Sequence, residues 1–184
     1  MIPFIENLDA VILLWIQANL RGPLDGVITF VTHLADHGYL WILIALVLVL
    51  IRKTRAGGCA AAVALTCGLL ITNICIKNAV ARIRPYEIID GLTSMIGVME
   101  DWSFPSGHTT ASFAAATAIS IMLGKKFGIP ALILAVIIAL SRLYVGVHYP
   151  SDVLAGVIIG VVCGVLGSII VRAIVKAWRK KKQA

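Results

Sequence analysis

An all-α, polytopic membrane helix bundle is the fold class this sequence predicts, and three observations carry it. Hydrophobic residues make up 60% of the 184 and charged residues only 14%, with a mean hydropathy of +0.97, far outside the range of a water-soluble domain. The apolar residues fall in runs close to the length that crosses a bilayer. Basic residues gather in short clusters where those runs end, as topology signals do.

Residues 1–36 predict one or two helices, interrupted at Arg21-Gly22-Pro23, where Gly and Pro break helical continuity. Residues 11–20 are too few to span alone, so this segment is interfacial, re-entrant, or a kinked first span completed by 27–34. Residues 38–51 are apolar throughout and stop at Arg52-Lys53-Thr54-Arg55; residues 56–76 form an uncharged run of 21 that ends at Lys77. The longest polar stretch, 77–101, is expected as a loop outside the hydrocarbon. Three more apolar runs follow: 109–124, ending at Lys125-Lys126; 129–147, with Arg142 near its end; and 153–171, leading into a basic tail. Gly156, Gly160 and Gly164 in the last run give it a small-residue face for close packing. The expectation is five firm transmembrane helices plus an N-terminal segment that is a candidate sixth. It is read as one domain, 1–184, with N-terminal helices 1–36, a helical core 37–176 and a basic tail 177–184; no polar linker or internal repeat divides it.

The net charge of +7 would point to nucleic acid in a soluble protein, but its distribution at span ends excludes that partner. Cys59, Cys67, Cys75 and Cys163 lie inside apolar runs without C-x-x-C spacing and are expected as buried small hydrophobes. No cleavable signal peptide is expected, since the first residues lack a basic region and a small-residue cleavage site. His33 and His37, near Asp36, are expected as interfacial polar residues, and Trp15, Trp41, Trp102 and Trp178 as interfacial anchors. The run Lys180-Lys181-Lys182 is expected to meet anionic cytoplasmic lipid or to act only as a topology signal.

Topology separates the cations into two sets. Counting spans back from the tail, the clusters at 52–55, 125–126 and 176–182 fall on one side, which the positive-inside rule makes cytoplasmic. Lys77, Arg82, Arg84 and Arg142 fall on the other, where topology disfavours them, and an anionic ligand explains their retention. Three polar stretches then converge on the outer face: 77–85, 105–108 and 141–152.

Each stretch carries competent chemistry. Lys77 and Arg84 are two helical turns apart, on one face if the helix continues to Pro85. Arg142 offers a planar fork for anionic oxygens. Pro105-Ser106-Gly107-His108 opens an apolar helix, so backbone N–H groups and the helix dipole can receive an anion, with Ser106 alternatively a plain N-cap. His148 and Asp152 are four apart and meet if the turn after Pro150 is helical, where the carboxylate can hold one imidazole tautomer. With two histidines at one anion site, the carboxylate-backed His148 is the better nucleophile and His108 the proton donor.

Taken together, Lys77-x6-Arg84-Pro85, Pro105-Ser106-Gly107-His108 and Ser141-Arg142-x5-His148-x3-Asp152 resemble the three-part signature of the type 2 phosphatidic acid phosphatase (PAP2) family, which shares its site with vanadium haloperoxidases. The resemblance spans about the last 150 residues, and no signature position departs from it. It implies a lipid phosphatase of the cell membrane that needs no metal or other cofactor. His148 would form a phosphohistidine, Asp152 orient it, and His108 protonate the leaving group and then activate water. Lys77, Arg84, Ser106, Gly107 and Arg142 would bind the phosphoryl oxygens; Arg82 lies outside the signature, as a flank of the loop. Its size and short loops resemble prokaryotic members acting on undecaprenyl pyrophosphate, phosphatidylglycerol phosphate, phosphatidic acid or lipid A phosphate, the first being favoured. A vanadate-dependent haloperoxidase and a non-catalytic lipid or anion transporter are the competing readings. Oligomeric state is not specified by the residues.

Overall fold

The computed structural model describes residues 3–183, with side chains from Ile5 to Lys182. Among these, the helices are α1 (Pro3–Leu20), α2 (Asp25–Leu34), α3 (Tyr39–Leu50), α4 (Arg55–Gly68), the single turns α5 (Lys77–Val80) and α6 (Pro85–Ile88), α7 (Gly107–Leu123), α8 (Lys125–Tyr144) and α9 (Pro150–Gln183). A one-turn 3₁₀ segment, Asp36–Gly38, separates α2 from α3, and a π-helical stretch, Leu69–Ile76, continues α4 towards Lys77.

Helix α7 is the hub. It packs on α4, α8 and α9, while α4 also packs on α9 and α3. The seam is built from small side chains: Ala60, Ala64, Ala114, Ala115, Ala118 and Ala135 have no exposed surface. Such residues let helix backbones approach closely where lipid gives no hydrophobic reason for helices to associate. The glycine row of α9 behaves as expected. A Cβ on Gly160 would stand 2.7 Å from the Thr110 carbonyl oxygen of α7, and one on Gly164 would stand 2.8 Å from that of Ala114.

Three apolar stretches, Arg55–Ile88, Lys125–Tyr144 and Pro150–Lys182, are long and apolar enough to cross a membrane, and a fourth qualifies if Asp25–Leu34 and Asp36–Leu50, bent by 45°, count together. That is fewer than five or six for a physical reason. Helix α7 has 17 residues, at the lower edge of the roughly 17–25 that a span takes, and α3 has 12, reaching span length only with the residues before it.

Helix α1 lies across one end of the bundle. Near its start, Asp9 accepts a hydrogen bond from the backbone N–H of Ser151 at 3.0 Å; at its finish, the Leu20 carbonyl accepts from the Tyr144 hydroxyl at 2.8 Å. Both partners belong to the α8–α9 junction, so α1 is anchored at its two ends to the loop that carries His148. Arg21, just beyond, donates to the Tyr144 carbonyl at 3.0 Å and to that of Thr93 at 2.8 Å.

Two expectations are corrected. Trp41 is not an interfacial anchor: it is 1% exposed and donates to Ser112 Oγ at 2.8 Å, a bond an indole needs when buried. Trp15, Trp102 and Trp178 are exposed, as anchors would be. Of the cysteines, Cys163 is buried, Cys59 and Cys67 are half-buried and Cys75 is exposed on the apolar flank.

Candidate active site

The α8–α9 junction sets the geometry. Arg142 occupies the last turn of α8, and Pro150 starts α9, its missing N–H costing nothing at a helix entrance. Asp152, in the first turn of α9, therefore turns back on the preceding loop. Its Oδ2 accepts from the Tyr149 N–H at 3.0 Å and from Ser103 Oγ, and stands 3.4 Å from His148 Nδ1. On the other side of the ring, Arg84 Nη1 lies 3.2 Å from His148 Nε2. A guanidinium can only donate, so Nε2 is an acceptor and the ring proton resides on Nδ1, facing Asp152. Burial drives the His148 pKa down to about 3, with Asp152 opposing and Arg84 reinforcing that fall. A neutral imidazole with Nε2 unprotonated is the result.

Lys77 and Arg84 do converge, by a different route from the one expected. The helix stops at Val80, Ala81 takes a left-handed conformation (φ 49°), and the chain returns extended to Arg84. The two cations meet on Asp101, whose carboxylate pairs with both. Asp101 was not singled out by its sequence context. Burial would raise its pKa, but its bonds from Lys77 and Arg84 outweigh that and hold it at about 2.

Ser106 is the N-cap of α7, accepting from Thr109 at both its N–H and its hydroxyl. Its hydroxyl is thus turned into the helix, and Ser106 does not reach the cavity described next. Gly107 and His108 do. His108 Nε2 lies 2.9 Å from Asp36 Oδ1, and Asp36 Oδ2 lies 2.8 Å from His33 Nδ1. His33 is thus tied to the site, and among the described residues no group of three or more His, Cys, Asp or Glu is arranged to hold a metal ion.

Lys77, Arg84, His108, Arg142 and His148 line one cavity of about 1050 Å³. Arg142 is fully buried there. Its Nη1 donates to Thr32 Oγ1 of α2, while Nε and Nη2 have no partner. Two unsatisfied donors on a buried cation are costly unless something accepts from them. From this polar end the cavity continues between α3 and α4 along Ile42, Leu46, Val49, Leu65 and Leu69.

Arg82 is more than a loop flank. It is 8% exposed, donates to Asp152 Oδ1 at 2.6 Å, to Ser151 Oγ at 2.8 Å and to Asp9 Oδ2 at 3.0 Å, and lies 3.6 Å from the centre of the Tyr149 ring. Its sequence context carried no sign of this, because both carboxylates it joins are about 70 positions away.

Comparison with known proteins gives the family. The family model described as the PAP2 superfamily matches residues 57–176. The chain belongs to the PAP2 superfamily. It is 28% identical over 141 residues to an undecaprenyl-diphosphatase of Sulfolobus acidocaldarius, covering 77% of this chain and 68% of that one. It is 35% identical over 152 residues to a decaprenylphosphoryl-5-phosphoribose phosphatase of Mycolicibacterium smegmatis, covering 80% of each. The crystal structure of a transmembrane PAP2-type phosphatidylglycerolphosphate phosphatase from Bacillus subtilis superposes with a TM-score of 0.72 at 26% identity, over 95% of this chain and 87% of that one. The protein is an enzyme, a PAP2-type membrane lipid phosphatase.

Proposed function

We propose that this PAP2 phosphatase hydrolyses a long-chain lipid phosphate or diphosphate, with undecaprenyl diphosphate the favoured substrate, through a phosphohistidine at His148. The observation that carries this reading is Arg142: a buried guanidinium with Nε and Nη2 unpartnered, in the same cavity as Lys77, Arg84, His108 and His148. A phosphoryl group supplies the missing acceptors, and its bidentate match to a guanidinium is what arginine recognises best. Asp101 bridges Lys77 and Arg84, and in this reading it holds the place of a phosphoryl oxygen until the substrate displaces it. The apolar extension between α3 and α4 suits a tail that stays in lipid while its head group enters the site. Two of the relatives are named for polyprenyl phosphates, which favours that class of tail.

In the proposed reaction His148 Nε2 attacks phosphorus, the Asp152 carboxylate supports the charge that develops on the ring, and His108 gives a proton to the departing oxygen. Lys77, Arg84, Arg142 and the N–H groups at the start of α7, beside Ser106 and Gly107, stabilise the equatorial oxygens. Water, deprotonated by His108, then releases phosphate from His148. No metal or other cofactor takes part in these steps. The site opens on the extracytoplasmic side of the cell membrane and the basic tail is cytoplasmic; α3, the helix from Arg55 through the π-helical stretch, α7, α8 and α9 make five crossings.

Phosphate release from a panel of prenyl and glycerolipid mono- and diphosphates, in detergent with a chelator, tests the proposal. Wild type releases phosphate with chelator present and His148→Ala does not. Activity that disappears on chelation, or that survives His148→Ala, overturns it.

A further inference from the structure

We infer that Asp36, held from behind by His33, is the positioning residue that orients His108 and favours its protonated form for protonation of the leaving oxygen. The inference rests on the reading of His108 as proton donor and extends it to residues outside the 57–176 stretch that the family model matches.

Asp36 sits in the 3₁₀ turn between α2 and α3, at the cavity wall. Each carboxylate oxygen is committed to one imidazole: Oδ1 to His108 Nε2 at 2.9 Å and Oδ2 to His33 Nδ1 at 2.8 Å. A carboxylate bonded at both oxygens is locked in rotation, so the ring it faces is locked too. With Nε2 engaged, the other ring nitrogen is left to face the reacting group.

Electrostatics give the contact its purpose. His108 shares its cavity with Lys77 from α5, Arg84 from the extended segment after α5 and Arg142 from α8, together with His148. Three fixed cations oppose a fourth charge on His108. The other carboxylates at the cavity wall are Asp101, paired with Lys77 and Arg84, and the exposed Glu100. Among the described residues Asp36 is therefore the one carboxylate in hydrogen-bond contact with His108. Each histidine then has its own carboxylate, Asp152 for the nucleophile and Asp36 for the donor.

The proton matters in proportion to the leaving group. As the bond from His148 Nε2 to phosphorus forms, the bond from phosphorus to the leaving oxygen breaks, its electron pair goes to that oxygen, and the His108 proton follows. A lipid alcohol leaves poorly as a bare alkoxide. A lipid phosphate leaving from a diphosphate, or a nitrophenolate leaving from an aryl phosphate, is stable without the proton.

The experiment compares wild type, Asp36→Asn, His33→Gln and His108→Asn on a long-chain prenyl monophosphate, the matched diphosphate and p-nitrophenyl phosphate, with KM and kcat separated. Asp36→Asn is expected to lower kcat on the monophosphate by about 10²-fold, the lower range of what a positioned proton donor contributes, with KM unchanged and a far smaller loss on the other two substrates. His33→Gln, the milder change, shows the same ordering with a smaller amplitude. Equal losses on all three substrates, or no loss on any, overturn the inference. If His108→Asn discriminates by leaving group while Asp36→Asn does not, the role of Asp36 fails and the donor assignment stands. If wild type releases phosphate from none of the substrates, the proposed function itself fails.

Discussion

Replacing Arg82 by alanine tests how far the Asp152 carboxylate depends on a residue outside the signature. Arg82 is buried and joins Asp9 of α1 to Asp152 of α9. Its loss leaves two buried carboxylates without their cation. Breaking one buried pair by removing a partner costs about 3–5 kcal/mol. Here both acids keep neutral donors, Asp152 from Ser103 and Tyr149 and Asp9 from Ser151, so the expected penalty is at the low end, about 3 kcal/mol. Reversible unfolding in mixed micelles measures it. The double variant Arg82→Ala/Asp9→Asn removes one of the stranded charges and should recover about 1 kcal/mol or more, the coupling expected of contacting residues. Activity should fall through kcat rather than KM, because Asp152 is freed to swing away from His148 while the groups facing the phosphoryl site are untouched. An Arg82→Ala protein with stability within about 0.5 kcal/mol of wild type, the ordinary range for a surface substitution, and with undiminished kcat would refute this.

Three further outcomes are expected. Gly160→Ala places a methyl against the Thr110 carbonyl at 2.7 Å and should destabilise the α7–α9 seam by about 1–3 kcal/mol, read by the same unfolding assay. Arg142→Leu should abolish phosphate release yet unfold no more easily than wild type, because two unsatisfied buried donors, each costing about 1–3 kcal/mol, leave with the guanidinium; a marked loss of stability would count against the free site being poised for an anion. His148 is held at about 3 in the folded chain against its ordinary 6.5, so the unfolded chain binds the extra proton between those values. Its contribution to stability is therefore complete above about pH 6.5 and declines as pH falls towards 3, and His148→Gln should flatten the stability profile in that window relative to wild type.

What could be read from the chain and what could not divide by sequence distance. His148 and Asp152 are four residues apart, and the helix beginning at Pro150 brings them into reach without help from any other element. Lys77 and Arg84 were expected as neighbours on one helix face. They are neighbours, but through the left-handed Ala81 and the bridging Asp101, which helical spacing does not encode. Asp9, Arg82 and Asp36 show no sign of their contacts in the sequence because each acquires its meaning from a partner about 70 positions away, and isolated charges at span ends look alike whether they snorkel or hold another side chain in place. Trp41 misled for a related reason: its partner Ser112 is on another helix. The course of α1 was left open by its apolar run because its polar residues Asp9 and Gln17 find their partners far along the chain, on the α8–α9 junction and the loop after α6.

Rapid acid-free quenching of the enzyme with a lipid phosphate substrate, followed by mass spectrometry of the peptide carrying His148, addresses the central claim without intermediaries. A phosphoryl group on residue 148, more abundant in His108→Ala with a good leaving group because water is no longer activated, is the predicted result. Turnover with no phosphoryl adduct at residue 148 under any quench, and unimpaired in His148→Ala, would contradict it.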